Sequence, residues 1–387
     1  MKRPNLFLYL TLGFLLNVFA WMKGQRITKQ VKIHGPAITL SNHTSFYDFV
    51  YTHAALYPHR VSYLAASKMF FEKGTGFFLR LARAIPKSLM QADPVATLSA
   101  FRILKKKGMV SVFPEGQISP SGKTIYIAYS IAKFIQRASV DVYIVRHFGP
   151  GLVNPPWSKK TFRGPIETEK YLLATKEVIH SMRLDDIYRM VCDHLDISQG
   201  SFALIKNYTY HIQPVHNLEN VIYQCPTCLH EGLTVNHHQL ICPSCGQTLT
   251  YDQHGCLNKE PVDIHFARQA KRVEHLIDKH ENITFVASTR LQSFRHQKLV
   301  DVGHGTISLS RTGYTYEGTV DEKETTLNFG ILSTPTLPSD IGRNIQIYEG
   351  YQIYQFEMDV AWKPTQFVHA GEYLYQCMAQ VEKKELK

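Results

Sequence analysis

The sequence predicts an α/β domain that follows an apolar N-terminal helix and precedes a small cysteine-rich module and a C-terminal β-rich domain. Three observations carry this prediction. Buried strand patterns alternate with helical ones, four cysteines form two close pairs, and strand-like segments with turn residues dominate the last hundred residues. The predicted segments are residues 1–30, 31–205, 206–256 (a linker and the cysteine module), 257–285 (a connecting helix) and 286–387.

The first segment contains an apolar run over residues 5–22 that is flanked by basic residues. No small-residue cleavage site follows, so a signal peptide is disfavoured. The run is close to the lower length limit for a spanning helix, and its three polar residues would also allow it to lie in a membrane interface. Trp21 and Lys23 suit such an interface. We therefore expect a membrane-associated helix, with spanning and lying flat both left open.

Four apolar stretches predict the strands of the α/β domain: AITL (37–40), VSYLAA (61–66), MVSVF (109–113) and VDVYIV (140–145). Helical spacing between them appears at residues 96–107 and 125–136. Residues 167–200 are polar and also read as helical, with an apolar stripe formed by Leu172, Val178, Met182, Ile187 and Val191.

Charge is distributed unevenly along the chain. The net charge is +11, but residues 1–166 carry +18 and residues 167–387 carry −7. A basic first half favours an anionic partner, which can be nucleic acid, a phosphorylated substrate or an anionic membrane surface.

A histidine and an aspartate follow the first strand in the stretch NHTSFYD. His43 and Asp48 are five residues apart, so on one regular helix they would point about 140° apart. We therefore place His43 in the turn after AITL and Asp48 in the first turn of the next helix, where the two side chains can meet. Such a pair can activate a hydroxyl, because the imidazole takes the proton while the carboxylate fixes the ring.

A second motif, FPEG (residues 113–116), follows another buried strand about 70 residues later. Together, NHTSFYD and FPEG resemble the glycerolipid acyltransferases, the family of the 1-acylglycerol-3-phosphate acyltransferases. The resemblance covers roughly residues 30–200. It implies that His43 is the base and Asp48 its orienting partner.

The same resemblance implies that the FPEG segment binds the glycerol phosphate of the acceptor. The candidate acceptor-binding residues are these four, Phe113, Pro114, Glu115 and Gly116, together with Asn42, Arg83, Lys87 and Lys123. This chain departs from the family pattern where an arginine often follows FPEG, because Gln117 and Ile118 stand there. The basic residues around the motifs are therefore the candidate phosphate contacts.

Two CxxC pairs, separated by thirteen residues, stand at Cys225, Cys228, Cys242 and Cys245. This spacing predicts a closed four-cysteine zinc site with a structural role, as in zinc ribbons. Zinc ribbons often bind nucleic acid, but residues 217–256 contain no lysine or arginine, so we expect no nucleic-acid partner here. The cysteine pattern is not that of a secreted disulfide scaffold, which indicates a reducing compartment.

The C-terminal segment weakly resembles a pleckstrin-homology or GRAM-like domain, with paired strands and one closing helix over residues 366–381. A generic β-rich packing domain fits the same pattern.

The complete interpretation is a membrane-associated O-acyltransferase on the cytoplasmic face. It would move an acyl chain from acyl-CoA or acyl-carrier protein to a lysophospholipid or glycerol phosphate. The alternative is a catalytically inactive, membrane-bound zinc-ribbon protein that binds a protein partner or nucleic acid.

Overall fold

The computed structural model describes residues 3–88, 93–295, 298–350 and 352–385. The chain divides into two compact units. The first consists of residues 1–213 with 253–255, and the second of residues 214–252 with 256–387. This division is coarser than the five predicted segments.

The first unit is an α/β domain built on one seven-stranded sheet. Its strands are β1 (Gln25–Lys29), β2 (Ala37–Leu40), β3 (Val61–Ala66), β4 (Ile85–Lys87), β5 (Met109–Val112), β6 (Asp141–Phe148) and β7 (Ile166–Ala174). Its helices are α1 (Leu6–Met22), α2 (Asp48–Leu56), α3 (Thr75–Leu81), α4 (Pro94–Lys105), α5 (Ser130–Ala138), α6 (Pro150–Val153), α7 (Lys176–Ser181), α8 (Leu184–Leu195) and α9 (Gln199–Lys206).

The strand order is β1-β7-β6-β2-β5-β3-β4, with β2 in the centre. Strands β6, β2, β5, β3 and β4 run parallel, and β7 is antiparallel to β6. One face packs Ile38 and Leu40 against α4, α5 and α8, while the other packs Ala37 and Met109 against α2. Covering both faces explains why the central strands read as continuous apolar runs.

The structure confirms the predicted α/β architecture, and β2 and β3 match their predicted bounds. The helical interpretation of residues 167–200 is wrong at its start, where β7 lies. Charged residues of this strand find partners in the fold: Glu169 accepts from Arg146 at 2.7 Å, and Lys170 donates to the carbonyl of Ala55 at 2.8 Å. These tertiary contacts let a strand carry charges that hide its alternating pattern.

Helix α1 packs on α2 through one face, which buries Tyr9, Gly13 and Ala20. A side chain at position 13 would collide, because its Cβ would stand 2.6 Å from Nε2 of His53. The opposite face exposes a row of apolar side chains: Phe7, Phe14, Leu15, Val18, Trp21 and Met22. Within the described part of the chain, no helix has both the length and the apolar character needed to cross a membrane.

The second unit begins with short strands around the cysteine pairs. These are β8 (Thr234–Asn236), β9 (Gln239–Ile241) and β10 (Thr248–Thr250), followed by the small pair β11 (Cys256–Leu257) and β12 (Glu260–Pro261). Helix α10 (Val262–Lys279) then leads into the β-rich region. Strands β8, β9 and β10 form one antiparallel sheet, and the hairpin of β8 and β9 lies between the two cysteine pairs.

The β-rich region is an antiparallel seven-stranded sheet ordered β16-β15-β14-β13-β19-β18-β17. The strands are β13 (Phe285–Arg295), β14 (Lys298–Ser310), β15 (Gly313–Val320), β16 (Lys323–Phe329), β17 (Ser339–Asp340), β18 (Asn344–Glu349) and β19 (Gln352–Met358). Helix α11 (Lys363–Glu385) follows and packs Phe367, Ala370 and Leu374 into the core of the sheet. A β-rich C-terminal region with a closing helix is thus confirmed, while the pleckstrin-homology resemblance stays a prediction.

Candidate active site and metal centre

The two sequence motifs meet at one edge of the first sheet. Strands β2 and β5 are parallel neighbours in which Leu40 pairs with Val112. His43 follows the first strand and Phe113 follows the second, so both motifs leave the sheet at its carboxyl edge. Side chains at this edge of an open α/β sheet are well placed to form a ligand site.

His43 and Asp48 form the predicted pair. The Nδ1 atom of His43 lies 3.0 Å from Oδ2 of Asp48, which is the first residue of α2. The same carboxylate oxygen accepts from the backbone N–H groups of Thr44 at 2.6 Å and Ser45 at 2.8 Å. Asp48 is fully buried, whereas the side chain of His43 is 20% exposed. With Nδ1 engaged, Nε2 is the ring nitrogen that remains for a substrate proton.

Glu115 holds the two motifs together from inside the protein. Its Oε1 accepts from the backbone N–H of His43 at 2.6 Å, and its Oε2 accepts from that of Ile125 at 3.0 Å. Burial raises the pKa of Glu115 to about 8, although these two hydrogen bonds oppose the shift. A third link joins the segments, because the backbone N–H of Ser119 donates to the carbonyl of His43 at 2.8 Å. Glu115 therefore positions His43.

The rest of the FPEG turn lies against the histidine. The ring of Phe113 is 4.6 Å from the imidazole of His43, tilted by 30°. The backbone of Gly116 closes the turn by donating to the carbonyl of Phe113 at 3.1 Å, and its φ of +73° requires glycine. Pro114 is half-buried between them. The turn thus forms one wall beside the dyad.

Asn42 differs from its predicted role as an acceptor contact. Its side chain is fully buried and pairs with the main chain of His147, donating to the carbonyl at 3.0 Å and accepting from the N–H at 2.8 Å. The amide thus fastens the end of β2 to β6.

The three candidate phosphate-binding cations lie in different places. Lys87 ends β4 at the same sheet edge as His43, and its ammonium group donates to the carbonyl of Ser88 at 3.2 Å. Burial lowers the pKa of Lys87. The ammonium group of Lys123 forms an ion pair with Asp196.

Arg83 points away from the dyad. Its guanidinium donates to the carbonyl of Arg3 at 2.9 Å, and Arg3 in turn reaches the carbonyl of Lys106, just before β5 begins. The guanidinium thus lies toward the amino edge of the sheet, whereas His43 follows the carboxyl edge. The prediction that Arg83 contacts the acceptor beside His43 is not supported by this placement.

Sequence reasoning missed a buried polar group behind the dyad. The ring of His147 lies between Thr52 (Nε2 to Oγ1, 2.8 Å) and Thr168 (Nδ1 to Oγ1, 2.9 Å), and burial lowers its pKa to about 4. The sequence could have indicated His147 as a site residue, because it lies at the carboxyl end of β6, the strand beside β2. The backbone N–H groups of Thr44, Ser45 and Ile125 could not be predicted as donors to the site, because every residue other than proline has such a group.

Exposed aromatic residues adjoin the dyad. Phe46 and Phe49 are exposed at the start of α2, and Phe46 contacts Tyr47 edge-on. The ring of Tyr47 in turn lies 5.9 Å from Phe19 of α1. An apolar surface therefore extends from α1 to within three residues of His43.

The four predicted metal ligands come together in the second unit. The Sγ atoms of Cys225, Cys228, Cys242 and Cys245 all lie within 4.8 Å of one another. The Cys225–Cys245 and Cys228–Cys242 Sγ pairs are 3.7 Å and 3.5 Å apart. Zinc–sulfur bonds of about 2.3 Å in a tetrahedron separate the sulfurs by roughly 3.8 Å, so the donor set fits zinc. Four thiolates would fill the coordination sphere and leave no open position for catalysis.

Comparison with known proteins gives one family match. Residues 24–147 match a family model described as acyltransferase. No curated protein sequence matches the chain.

Among solved structures, the chain is similar to the 1-acyl-sn-glycerophosphate acyltransferase PlsC from Thermotoga maritima. The two are 16% identical over 52% of this chain and 79% of that one, with a TM-score of 0.39. It is also similar to SsgB of Streptomyces coelicolor (11% identity, 26% of this chain, 92% of that one, TM-score 0.17). An SsgA-like sporulation-specific cell division protein from Thermobifida fusca is 12% identical over 27% of this chain and 98% of that one, with a TM-score of 0.16. No conclusion about function follows from structural similarities at these TM-scores.

Proposed function

We propose that the protein transfers a fatty acyl chain from a thioester to a hydroxyl group of a lysophospholipid or glycerol phosphate, because residues 24–147 match a family model described as acyltransferase. The first candidate acceptor is 1-acylglycerol-3-phosphate, and the donor is acyl-CoA or acyl-carrier protein. The observation that carries the proposal is the His43–Asp48 pair, whose carboxylate is buried and whose imidazole is partly exposed.

The chemistry follows from the roles of the two ring nitrogens. Nε2 of His43 takes the proton of the acceptor hydroxyl while Asp48, held by two backbone N–H groups, stabilises the imidazolium through Nδ1. The acceptor oxygen then bonds to the thioester carbonyl carbon, and the carbon–sulfur bond breaks. The proton on His43 goes to the departing thiolate, which restores the neutral imidazole. No covalent acyl-enzyme is needed.

The acceptor's phosphate needs cations near this edge. Lys87 is the candidate best supported by position, since it ends a parallel strand at the edge where His43 lies. Lys123 is available to a phosphate only by exchanging its ion pair with Asp196. Such an exchange at an exposed pair costs about 1 kcal/mol or less.

Membrane association on the cytoplasmic face is part of the proposal. The apolar outer face of α1, with Phe7 73% and Trp21 75% exposed, favours a helix that lies in the interface with its other face packed on α2. Phe46 and Phe49 extend this surface toward His43, which suits a substrate that keeps its chain in the bilayer.

The test is an acyl-transfer assay with the detergent-solubilised full chain. Labelled acyl-CoA and acyl-carrier protein are each offered with a panel of lysophospholipids and glycerol 3-phosphate. We expect turnover that falls at least about 100-fold in His43→Ala, because a general base is lost. His34→Ala, an exposed histidine outside the site, is the matched control and should keep full activity. Equal activity of the two variants would exclude His43 from the chemistry.

A further inference from the structure

Five cations gather where α1 begins. The guanidinium of Arg3 donates to the carbonyl of Lys106 at 3.3 Å, that of Arg60 to the carbonyl of Pro4 at 3.1 Å, and that of Arg83 to the carbonyl of Arg3. Lys106, whose carbonyl accepts this bond from Arg3, and its neighbour Lys107 add two exposed cationic side chains at the same point of the chain. We call the set of Arg3, Arg60, Arg83, Lys106 and Lys107 the amino-edge patch.

No carboxylate in the described residues pairs with the amino-edge patch, since the ion pairs of the first unit lie elsewhere. Nε of Arg3 is buried without a hydrogen-bond partner. Burial lowers the pKa of Arg3, and the nearby positive charge of Arg60 lowers it further. Uncompensated like charges repel, and an anion seated among them would remove that cost. Guanidinium groups with free N–H donors suit the paired oxygens of a phosphate.

The amino-edge patch lies away from the candidate active site. Arg60 directly precedes β3, and Lys106 and Lys107 precede β5, so these residues stand at the amino ends of parallel strands. His43 follows the carboxyl end of β2. An anion bound at the patch therefore cannot be the acceptor phosphate of the reaction.

Helix α1 joins the patch to the exposed apolar face. Arg3 and Pro4 come just before the helix, and Phe7 begins the row of outward-facing apolar residues. A cationic cluster next to an apolar helix face matches a bilayer surface, where phosphates lie above hydrocarbon. An acidic protein would satisfy the cations but would offer nothing to the apolar row.

We propose that the amino-edge patch binds the phosphate-bearing headgroups of anionic phospholipids and so orients the enzyme on the membrane surface, with α1 lying in the interface. This inference rests on the proposed membrane association. It adds a second phosphate site that selects the charge of the membrane and takes no part in acyl transfer.

The experiment measures partitioning of the full chain onto vesicles. One set of vesicles is pure phosphatidylcholine, and the other contains roughly one quarter phosphatidylglycerol. A juxtamembrane cation contributes about 1 kcal/mol, or roughly fivefold in partitioning. We therefore expect Arg60→Gln/Arg83→Gln to lose roughly 25-fold on the anionic vesicles and little on the neutral ones.

Two further variants make the result decisive. Lys106→Gln/Lys107→Gln removes the same charge from the patch without touching a contact of α1. It should weaken binding by a similar factor, and it serves as the test if the arginine variant does not fold. Lys159→Gln/Lys160→Gln removes two exposed cations elsewhere in the unit and should stay within about twofold of wild type. Equal losses in all three variants, or no preference of wild type for anionic vesicles, would overturn the proposal.

Vesicle binding requires no turnover, so the two proposals can fail separately. Charge-selective binding without acyl transfer would refute only the catalytic proposal. Acyl transfer in detergent by a protein whose vesicle binding does not depend on lipid charge would refute only the headgroup site.

Discussion

The dyad in the first unit and the four cysteines in the second both assemble polar side chains from short, separated motifs, but different forces hold them. Asp48 is fully buried, and one of its oxygens accepts three hydrogen bonds. Cys228 and Cys245 are exposed, and the three strands around the cluster have only three residues each.

This difference separates a preorganised site from a ligand-held one. The dyad is fixed by a sheet packed on both faces, so its geometry exists before any substrate arrives. The cysteine cluster leaves two of its sulfurs exposed and is flanked by strands of only three residues each, so we expect the ion itself to supply most of the energy that holds the four sulfurs together. Disturbing each region in turn tests the contrast.

Metal removal should give the largest effect. Binding of structural zinc by such modules is worth roughly 10 kcal/mol or more at neutral pH. A strong chelator should therefore abolish hydrogen-exchange protection across residues 225–250, while peptides covering β2 and β5 keep theirs. Elemental analysis of the untreated protein should find one zinc per chain.

Substitution of a single ligand should act in the same way. Cys242→Ser removes a buried sulfur from the cluster and should lose both the zinc and the protection. Cys377→Ser, which changes a half-buried cysteine of α11 outside the cluster, is the control and should keep both. A protein without bound metal that is nevertheless fully protected would contradict the ligand-held interpretation.

Asp48→Asn should give the next largest effect, this time on catalysis. The substitution keeps the shape but removes the charge that orients and stabilises the imidazolium. We expect kcat to fall on the order of 10³- to 10⁴-fold, with a much smaller change in KM. Steady-state kinetics with the acceptor found in the assay measures both.

Asp93→Asn is the matched control for that variant. Asp93 also stands at the start of a helix and accepts two backbone N–H groups, from Ala96 and Ser88, at 2.8 Å each. Asparagine keeps a side-chain oxygen that can cap the helix, so kcat should stay near wild type. The charge of Asp93 also faces the ammonium group of Lys87, so its loss should act on KM and not on kcat. An equal loss of kcat in both variants would mean that the rate depends on a carboxylate at the start of a helix in general and not on the charge beside His43.

Much of this contrast could be predicted from the sequence because its determinants are local. The apolar runs predicted the bounds of β2 and β3, and the five-residue spacing placed His43 in a turn with Asp48 at the helix start. The CxxC spacing likewise brought four sulfurs together. The acyltransferase resemblance is confirmed for residues 24–147.

What failed depended on partners distant in the chain. Residues 166–174 form a strand whose charges are satisfied by other elements, and Asn42 bonds the main chain of His147, 105 residues away. Arg83 and Lys87 are close in sequence, but their charged groups lie toward different edges of one sheet. Residue type alone cannot reveal these directions, because the fold sets them.

The smallest expected effect concerns Glu115 and sharpens the meaning of a preorganised site. Burial raises its pKa to about 8, above the ordinary 4.5, so the folded state holds the proton more tightly than the unfolded chain. Its contribution to stability is therefore complete below about pH 4.5. That contribution falls as pH rises toward 8, by at most about 1.4 kcal/mol per pH unit.

Glu115→Gln cannot titrate and resembles the protonated carboxyl group in shape. The unfolding free energy of wild type, relative to this variant, should fall by about 2 kcal/mol between about pH 6.5 and pH 8. Denaturant titrations of the full chain at several pH values measure this difference, with the exposed Glu72→Gln as the control for loss of one charge. If wild type instead gains stability over this range, the hydrogen bonds from His43 and Ile125 outweigh burial, and Glu115 acts as a permanent anion behind the dyad.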